Sequence, residues 1–440
     1  MKFFLLIFLF ILNNCSFDDK TGIWKNINQI SNKETKLEQN FKILSSSKDP
    51  YSEIIPKKND FIFKSGNTLI SQQWNDIYYN QGNNSENFKY KNQNLIIFKS
   101  KKLSRSTTNQ PVLFNQNNFI FTNEKGNLIV FSINENKVLS KFNFYKKKFK
   151  KIKKFLNIIA ENEVIYVADN IGYLYAYNYV EEKILWAKNY KIPFRSNLKL
   201  FKNKLITSDQ NNNLYFFDKK NGNIIKLFPT EETIVKNQFV NNLSISDETL
   251  LFLNTYGSIY SINLNSMKMR WFLNLNKSFD VNPSNLFLGT QVINNGELAI
   301  ISSNNETFAI DIDNGAIVFK KNFPPDVKPI IHKNYLFLIT NKSFLVAMDL
   351  NSGKTIYSYD LNQKVADFLN TKKKKIFLES MILVNNQIYI FLKNSYIIQV
   401  DMDGNISSIQ KLKESVNSIP IFIDSSLVYL NSKNKLIIVD

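Results

Sequence analysis

The sequence predicts an all-β fold: an eight-bladed β-propeller with four-stranded antiparallel blades, in which an N-terminal strand closes the last blade. Three observations predict it. A register of Gly or Asn, a short apolar strand, Asp or Asn and then an aromatic recurs along the chain; successive copies start 38 to 52 residues apart; and a strand is left over at each end of the array. The chain has 440 residues, and its 37 Phe and 20 Tyr supply ample material for one large core.

Taken in chain order, Lys2 and the apolar run Phe3 to Leu12 read as the charged start and core of a signal peptide, too short to span a bilayer as a helix. Leu12-Asn13-Asn14-Cys15 follows, and Cys15 is the only cysteine. The pattern resembles a bacterial lipobox, so residues 1–15 are expected to be a lipoprotein signal ending at a lipidated Cys15. A chain without other thiols suits an oxidising compartment. Ser16, in the position after the Cys, implies sorting to the outer membrane by that resemblance. Residues 16–70 are polar and weakly patterned and read as a tether.

The body, residues 71–440, is expected to be the propeller. Its clearest copies run from Gly172 through Asn178 to Trp186 and from Gly257 through Asn263 to Trp271, each with the aromatic fourteen residues after the Gly. Asn212, Asn305 and Ser343 open further copies, Gly126 and Ser395 weaker ones, and the copy at Asn434 stops at Asp440. This period is too long for a leucine-rich repeat and fits a four-stranded blade. The strands are short, rich in Val, Ile, Phe and Tyr, and bounded by Asn, Asp, Gly or Ser. The final copy lacks its last strand while Leu95 to Lys99 precedes the first copy without a partner, so a ring closed by residues near 95–103 hides both edges. Turn geometry and packing between blades account for the repeated Gly, Asp and aromatic positions.

The charge balance says less than its size suggests. The 56 Lys and Arg against 37 Asp and Glu give a formal charge of +19, but the excess is diffuse, which argues against nucleic-acid binding. Two lysine-rich stretches stand out, 146–154 and 372–375, read as solvated loops between blades or, on one rim, as contacts for anionic headgroups or an acidic partner. His332 is the only histidine, so no His-based metal cluster or catalytic triad can form. With 12 glycines and no phosphate-binding loop, the chain is expected to be no enzyme and to need no cofactor or metal.

The repeat Gly-x-Leu-x-Ala-x-Asn/Asp with its Trp is similar to the PQQ-type propeller repeat. The order of anchor, tether and single propeller resembles the BamB family of outer-membrane β-barrel assembly lipoproteins, and Trp74-Asn75-Asp76 followed by Gln81-Gly82-Asn83-Asn84 resembles the segment before the first blade in that family. The resemblance implies a non-catalytic periplasmic scaffold on the outer membrane, a monomer within a hetero-complex. It implies binding to the POTRA domains of BamA, with outer-membrane protein precursors as further partners. The partner-binding loop of the family corresponds to Ile192, Phe194 and Arg195, which either protrude as apolar anchors with an Arg or pack beneath the loop. The next loop, Lys236-Asn237-Gln238, lacks the family's acidic character. The alternative is a quinoprotein-like enzyme or an envelope ligand-binding propeller; quinoprotein dehydrogenases, however, use a vicinal Cys pair, which one cysteine cannot supply.

Overall fold

A computed structural model describes residues 15–17, 24–26, 51–232, 240–276, 287, 289–303 and 305–440. The chain divides into two units, Met1–Pro50 and Tyr51–Asp440. In the first, Cys15–Phe17 pairs antiparallel with Trp24–Asn26; the apolar run 3–12 lies outside the described residues. Among the described residues no helix is long and apolar enough to cross a membrane.

The second unit is the expected ring. Seven blades are consecutive four-stranded antiparallel meanders: residues 108–143, 156–189, 199–228, 242–274, 293–321, 330–360 and 378–411 (blades 1 to 7). Blade 8 joins Ile421–Ile423, Ser426–Leu430 and Leu436–Val439 to Ile96–Lys99, which forms its outer strand. Leu95 and Asp440 exchange backbone hydrogen bonds of 3.1 and 2.9 Å at the seam. The first strand of each blade faces the axis and the fourth faces solvent.

Sequence dictates this layering. Middle strands are covered on both faces and are continuous apolar runs, as in Thr249–Leu253, buried at every position. Outer strands such as Lys183–Asn189 bury only the central Trp186 and carry lysines. In blades 1 to 7 the register between third and fourth strands shifts through a bulge, as between Ala176 and Tyr177. Lysines and bulges on an edge both discourage pairing with another molecule.

The core is a circle of clusters between neighbouring blades, and the repeated residues make these joints. Trp186 of blade 2 lies on Gly222 of blade 3, where a Cβ would fall 2.4 Å from the ring, and its indole donates to Lys219 O at 2.8 Å. Trp271 repeats the joint on Gly315, donating to Ile312 O at 2.8 Å, and Phe319 covers Gly353. The Asp or Asn of the repeat caps its turn: Asn178 Oδ1 accepts from the backbone N–H of Val180 and Glu181.

Two features depart from expectation. A helix α1 (Leu361–Leu369) fills the longest spacing, capped by Asp360, whose side chain accepts from Gln363 N, and ended by Asn370 in the left-handed conformation. The compact body also begins at Tyr51 instead of 71: Ile55 bridges Ser358, and Phe61 and Phe63 pack on Tyr335, with Phe63 also against Phe337. Aromatic residues scattered in polar surroundings bind this stretch to blade 6.

Candidate partner-binding rim and axial funnel

Strand direction alternates within each blade, so all connections between blades emerge at one end of the ring together with the turns between second and third strands. The loop at 190–198, both lysine-rich stretches and α1 therefore share one rim. The turns between first and second strands mark the opposite end.

The loop 190–198 is fastened at nearly every residue. Tyr190 N donates to Gly172 O at 2.8 Å and Tyr190 OH to Gly222 O at 2.7 Å. Gly172 has φ of +99°, and a Cβ there would meet the Ile192 backbone at 2.8 Å. Phe194 N donates to Asp169 O and Arg195 N to Ser208 O, while Arg195 O accepts from Asn241 N. Asp169 itself is buried, which raises its pKa, and its Oδ1 accepts from the N–H groups of Ile171, Gly172 and Tyr173 at 2.8 Å each.

The three residues expected to bind a partner separate here. Phe194 is 2% exposed and packs on Tyr190, Tyr215 and Phe217 with ring centroids 6.0 to 6.3 Å apart. Ile192 and Arg195 are half-buried. The Arg195 Nε is buried without a hydrogen-bond partner, and desolvation lowers the guanidinium pKa. Phe194 thus supports the loop from beneath, leaving Ile192 and Arg195 as the groups a partner could reach. Lys236-Asn237-Gln238 lies outside the described residues.

The lysine-rich stretches are mostly solvated. Lys146, Lys147, Lys150, Lys151 and Lys153 are exposed, as are Lys372 to Lys375, and exposed Ile152, Phe155 and Phe377 accompany them. Lys154 differs: it is 1% exposed, its Nζ donating to Phe149 O and standing 5.3 Å from the Tyr145 ring centre.

The other end of the axis is closed by residues 71–91, which make a full circuit inside the ring. Ser71 O accepts from Asp424 N of blade 8, Trp74 exchanges two bonds with Phe114 of blade 1, and Asn75 O accepts from Ala160 N of blade 2. Gln81 donates through Nε2 to Leu200 O of blade 3 and accepts from Ile245 N of blade 4. Gly82 O accepts from Asn294 N of blade 5, and the Asn84 amide both donates to and accepts from Ile331 of blade 6. Phe88 N donates to Leu383 O of blade 7, and Lys91 N reaches Ser425 O, back in blade 8. All these contacts lie near turns between first and second strands, away from the rim.

Within this belt is a buried ion pair. Lys199 Nζ donates to Asp76 Oδ2 (2.6 Å), Asn83 Oδ1 (2.6 Å) and Asn80 O (3.0 Å), which uses all three of its protons. Desolvation lowers the Lys199 pKa and Asp76 opposes it. Sequence reasoning missed this group: a lysine between Leu198 and Leu200 reads as the polar position of an alternating strand. His332 sits half-buried beside Gly66, its pKa lowered by desolvation and by Lys333. Among the described residues no three His, Cys, Asp or Glu converge as a metal site requires.

Comparison with known proteins gives a consistent set of relatives. The family described as outer membrane protein assembly factor BamB matches residues 124–359, more than half of the chain. The outer membrane protein assembly factor BamB of Moranella endobia (strain PCIT) is 21% identical over 273 residues, a match spanning 56% of this chain and 64% of that protein. Among solved structures, BamB from Moraxella catarrhalis superposes with a TM-score of 0.60 at 12% identity, covering 77% of this chain and 99% of that one. The quinohemoprotein alcohol dehydrogenase of Comamonas testosteroni gives 0.59 at 10% identity, covering 84% and 81%. At these identities the superpositions speak for the fold alone.

Proposed function

Because the chain belongs to the family of outer membrane protein assembly factor BamB, we propose that it is a non-catalytic scaffold in the assembly of outer-membrane β-barrels. In this reading Cys15 is lipidated and holds the protein on the periplasmic face of the outer membrane, and residues up to Pro50 act as the tether. The rim between blades docks the POTRA domains of BamA, and outer-membrane protein precursors are further partners.

The observation that supports this most is the loop at 190–198, pinned by backbone hydrogen bonds while Ile192 and Arg195 stay partly exposed. A rigid loop loses little entropy on binding, and an arginine with spare donors gains most from an acceptor on a partner. The quinoprotein alternative draws on the shared fold, yet the described residues offer no group of metal ligands for a cation-assisted cofactor.

Co-purification tests the proposal. BamA is expected to come down with the intact lipidated protein and to be reduced about tenfold by Arg195→Glu, the effect of removing roughly 1.4 kcal/mol of binding. The same capture with Lys151→Glu and Lys153→Glu separates a specific arginine contact from general attraction to the basic rim. BamA absent from both the wild-type and variant captures would overturn the assignment.

A further inference from the structure

The belt forms the floor of a cavity of about 350 Å³ that opens toward the rim between blades. Trp74, Tyr78 and Ser85 of the belt line it, together with Thr290, Lys328 and Ser380 from the axial ends of blades 5, 6 and 7.

Three observations single it out. First, four of the residues that line it carry a buried polar atom without a hydrogen-bond partner: Trp74 Nε1, Ser85 Oγ, Thr290 Oγ1 and Ser380 Oγ. Trp74 is 5% and Ser85 3% exposed. Each orphaned group carries a desolvation cost that a ligand reaching it would remove. Secondly, the inner end of the cavity holds a cation with few partners. Lys199 and Lys328 both sit against the belt, and the carboxylate whose charge acts on both, Asp76, is spent on Lys199 and on the Tyr78 N–H. Lys328 Nζ has one hydrogen-bond partner, the carbonyl of Asn83 at 2.8 Å, and stands 6.0 Å from the centre of the Tyr78 ring. Burial, reinforced by Lys199 and opposed by Asp76, pulls its pKa down to about 8, which leaves it a cation at neutral pH. Thirdly, Ile77, Val327, Met381, Ile382 and Ile419 give the lining an apolar part, and its other carboxylates, Asp326 and Glu379, are not among the charges that act on Lys328.

We propose that this cavity binds a carboxylate carrying an apolar body. The carboxylate is received by Lys328 and the free indole and hydroxyl donors, and the body lies along Ile77, Met381 and Ile382. A charge-assisted bond to a buried ammonium and apolar burial of the attached group are additive sources of affinity. The inference rests on the axial cavity and is independent of the rim contact proposed above. The carboxylate belongs either to a free small molecule or to the C-terminus of a polypeptide.

N-acetyl-phenylalanine and its amide are suitable probes, titrated into ¹⁵N-labelled protein while following the Trp74 indole resonance, assigned with Trp74→Phe. The acid is expected to shift that resonance and the amide to bind about tenfold more weakly, the difference between keeping and losing one charge-assisted hydrogen bond. Lys328→Met should erase the distinction between acid and amide. Ser380→Val, which removes a hydroxyl without a partner, should weaken the acid while leaving the thermal melt unchanged. A peptide ending in the same free carboxylate separates the sources: affinity equal to that of the acid assigns chain ends, and loss of affinity assigns small molecules. Equal binding of acid and amide, an unmoved Trp74 resonance, or acid binding that survives Lys328→Met would overturn the proposal.

Discussion

At the scale of single residues, the least expected finding is that lysines lie inside. Lys199 is fully buried with all its protons bonded, and the pair it forms with Asp76 joins the belt to blade 3. Breaking such a pair leaves an uncompensated charge, so Asp76→Ala is expected to cost about 3–5 kcal/mol of unfolding free energy, measured by urea denaturation. Lys328 adds a pH signature. Its folded pKa of about 8 lies below the unfolded value of 10.5, so the unfolded state holds more protons between those values and stability rises with pH across that window. The gain should shrink in Lys328→Met to what the lowered pKa of Lys199 contributes, which is checked by comparing melting of the two proteins from neutral pH to pH 10.5. Sequence marks neither lysine, because alternation assigns charge to the outside and only the ring turns those positions inward. Phe194 shows the converse: its motif was legible, but whether the ring pointed out or down depended on Tyr190, Tyr215 and Phe217 arriving from other strands.

At the scale of elements, the repeat spells out its own joints. The aromatic fourteen residues after the marks at Gly172, Gly257, Asn305 and Ser343 is the piece that reaches the next blade, and the Gly it meets is the piece that lets it approach. Gly222→Ala forces a Cβ to within 2.4 Å of Trp186 at φ of +70°, so about 2–4 kcal/mol should be lost from backbone strain and overpacking together. Gly296→Ala is the comparison: φ there is +102° but nothing lies within 4 Å, and a loss of about 1–2 kcal/mol is expected from strain alone. Equal losses in the two variants, by urea midpoint, would mean that the Trp contact contributes little. Strand identity, blade period and closure by Ile96–Lys99 were all legible because each rests on local pattern or on counting edges. Helix α1 was not: it occupies one long connection, and a nine-residue amphipathic helix of about two and a half turns has no counterpart elsewhere in the repeat.

At the scale of the molecule, the sequence marked residues 71–91 as part of the body but not as a belt. The stretch is rich in Asn, Gln and Ser, yet Asn83 and Asn87 are buried, their amides serving backbone and side-chain groups of the belt and the blades. The informative signal was aromatic: Trp74, Tyr78, Tyr79, Phe88 and Tyr90 within a polar stretch have no reason to be there unless they are covered. Removing residues 1–50 is expected to leave the urea midpoint of the propeller unchanged, since the compact unit starts at Tyr51. Removing residues 1–103 strips both the belt and the outer strand of blade 8, and light scattering should then show self-association through the bared edge of Leu436–Val439.

The seam at Leu95 and Asp440 also dictates when the molecule can be finished. A strand near the start of the body waits for a partner 343 positions later (96 to 439), so the ring cannot close until that partner has been made. Contacts of such separation form slowly, because a long loop must be drawn in before any bond rewards it. Until then the nascent protein is an open arc with two sticky ends and an unseated belt. A factor whose proposed work is to assist other β-proteins therefore has a birth of its own that calls for the same kind of protection.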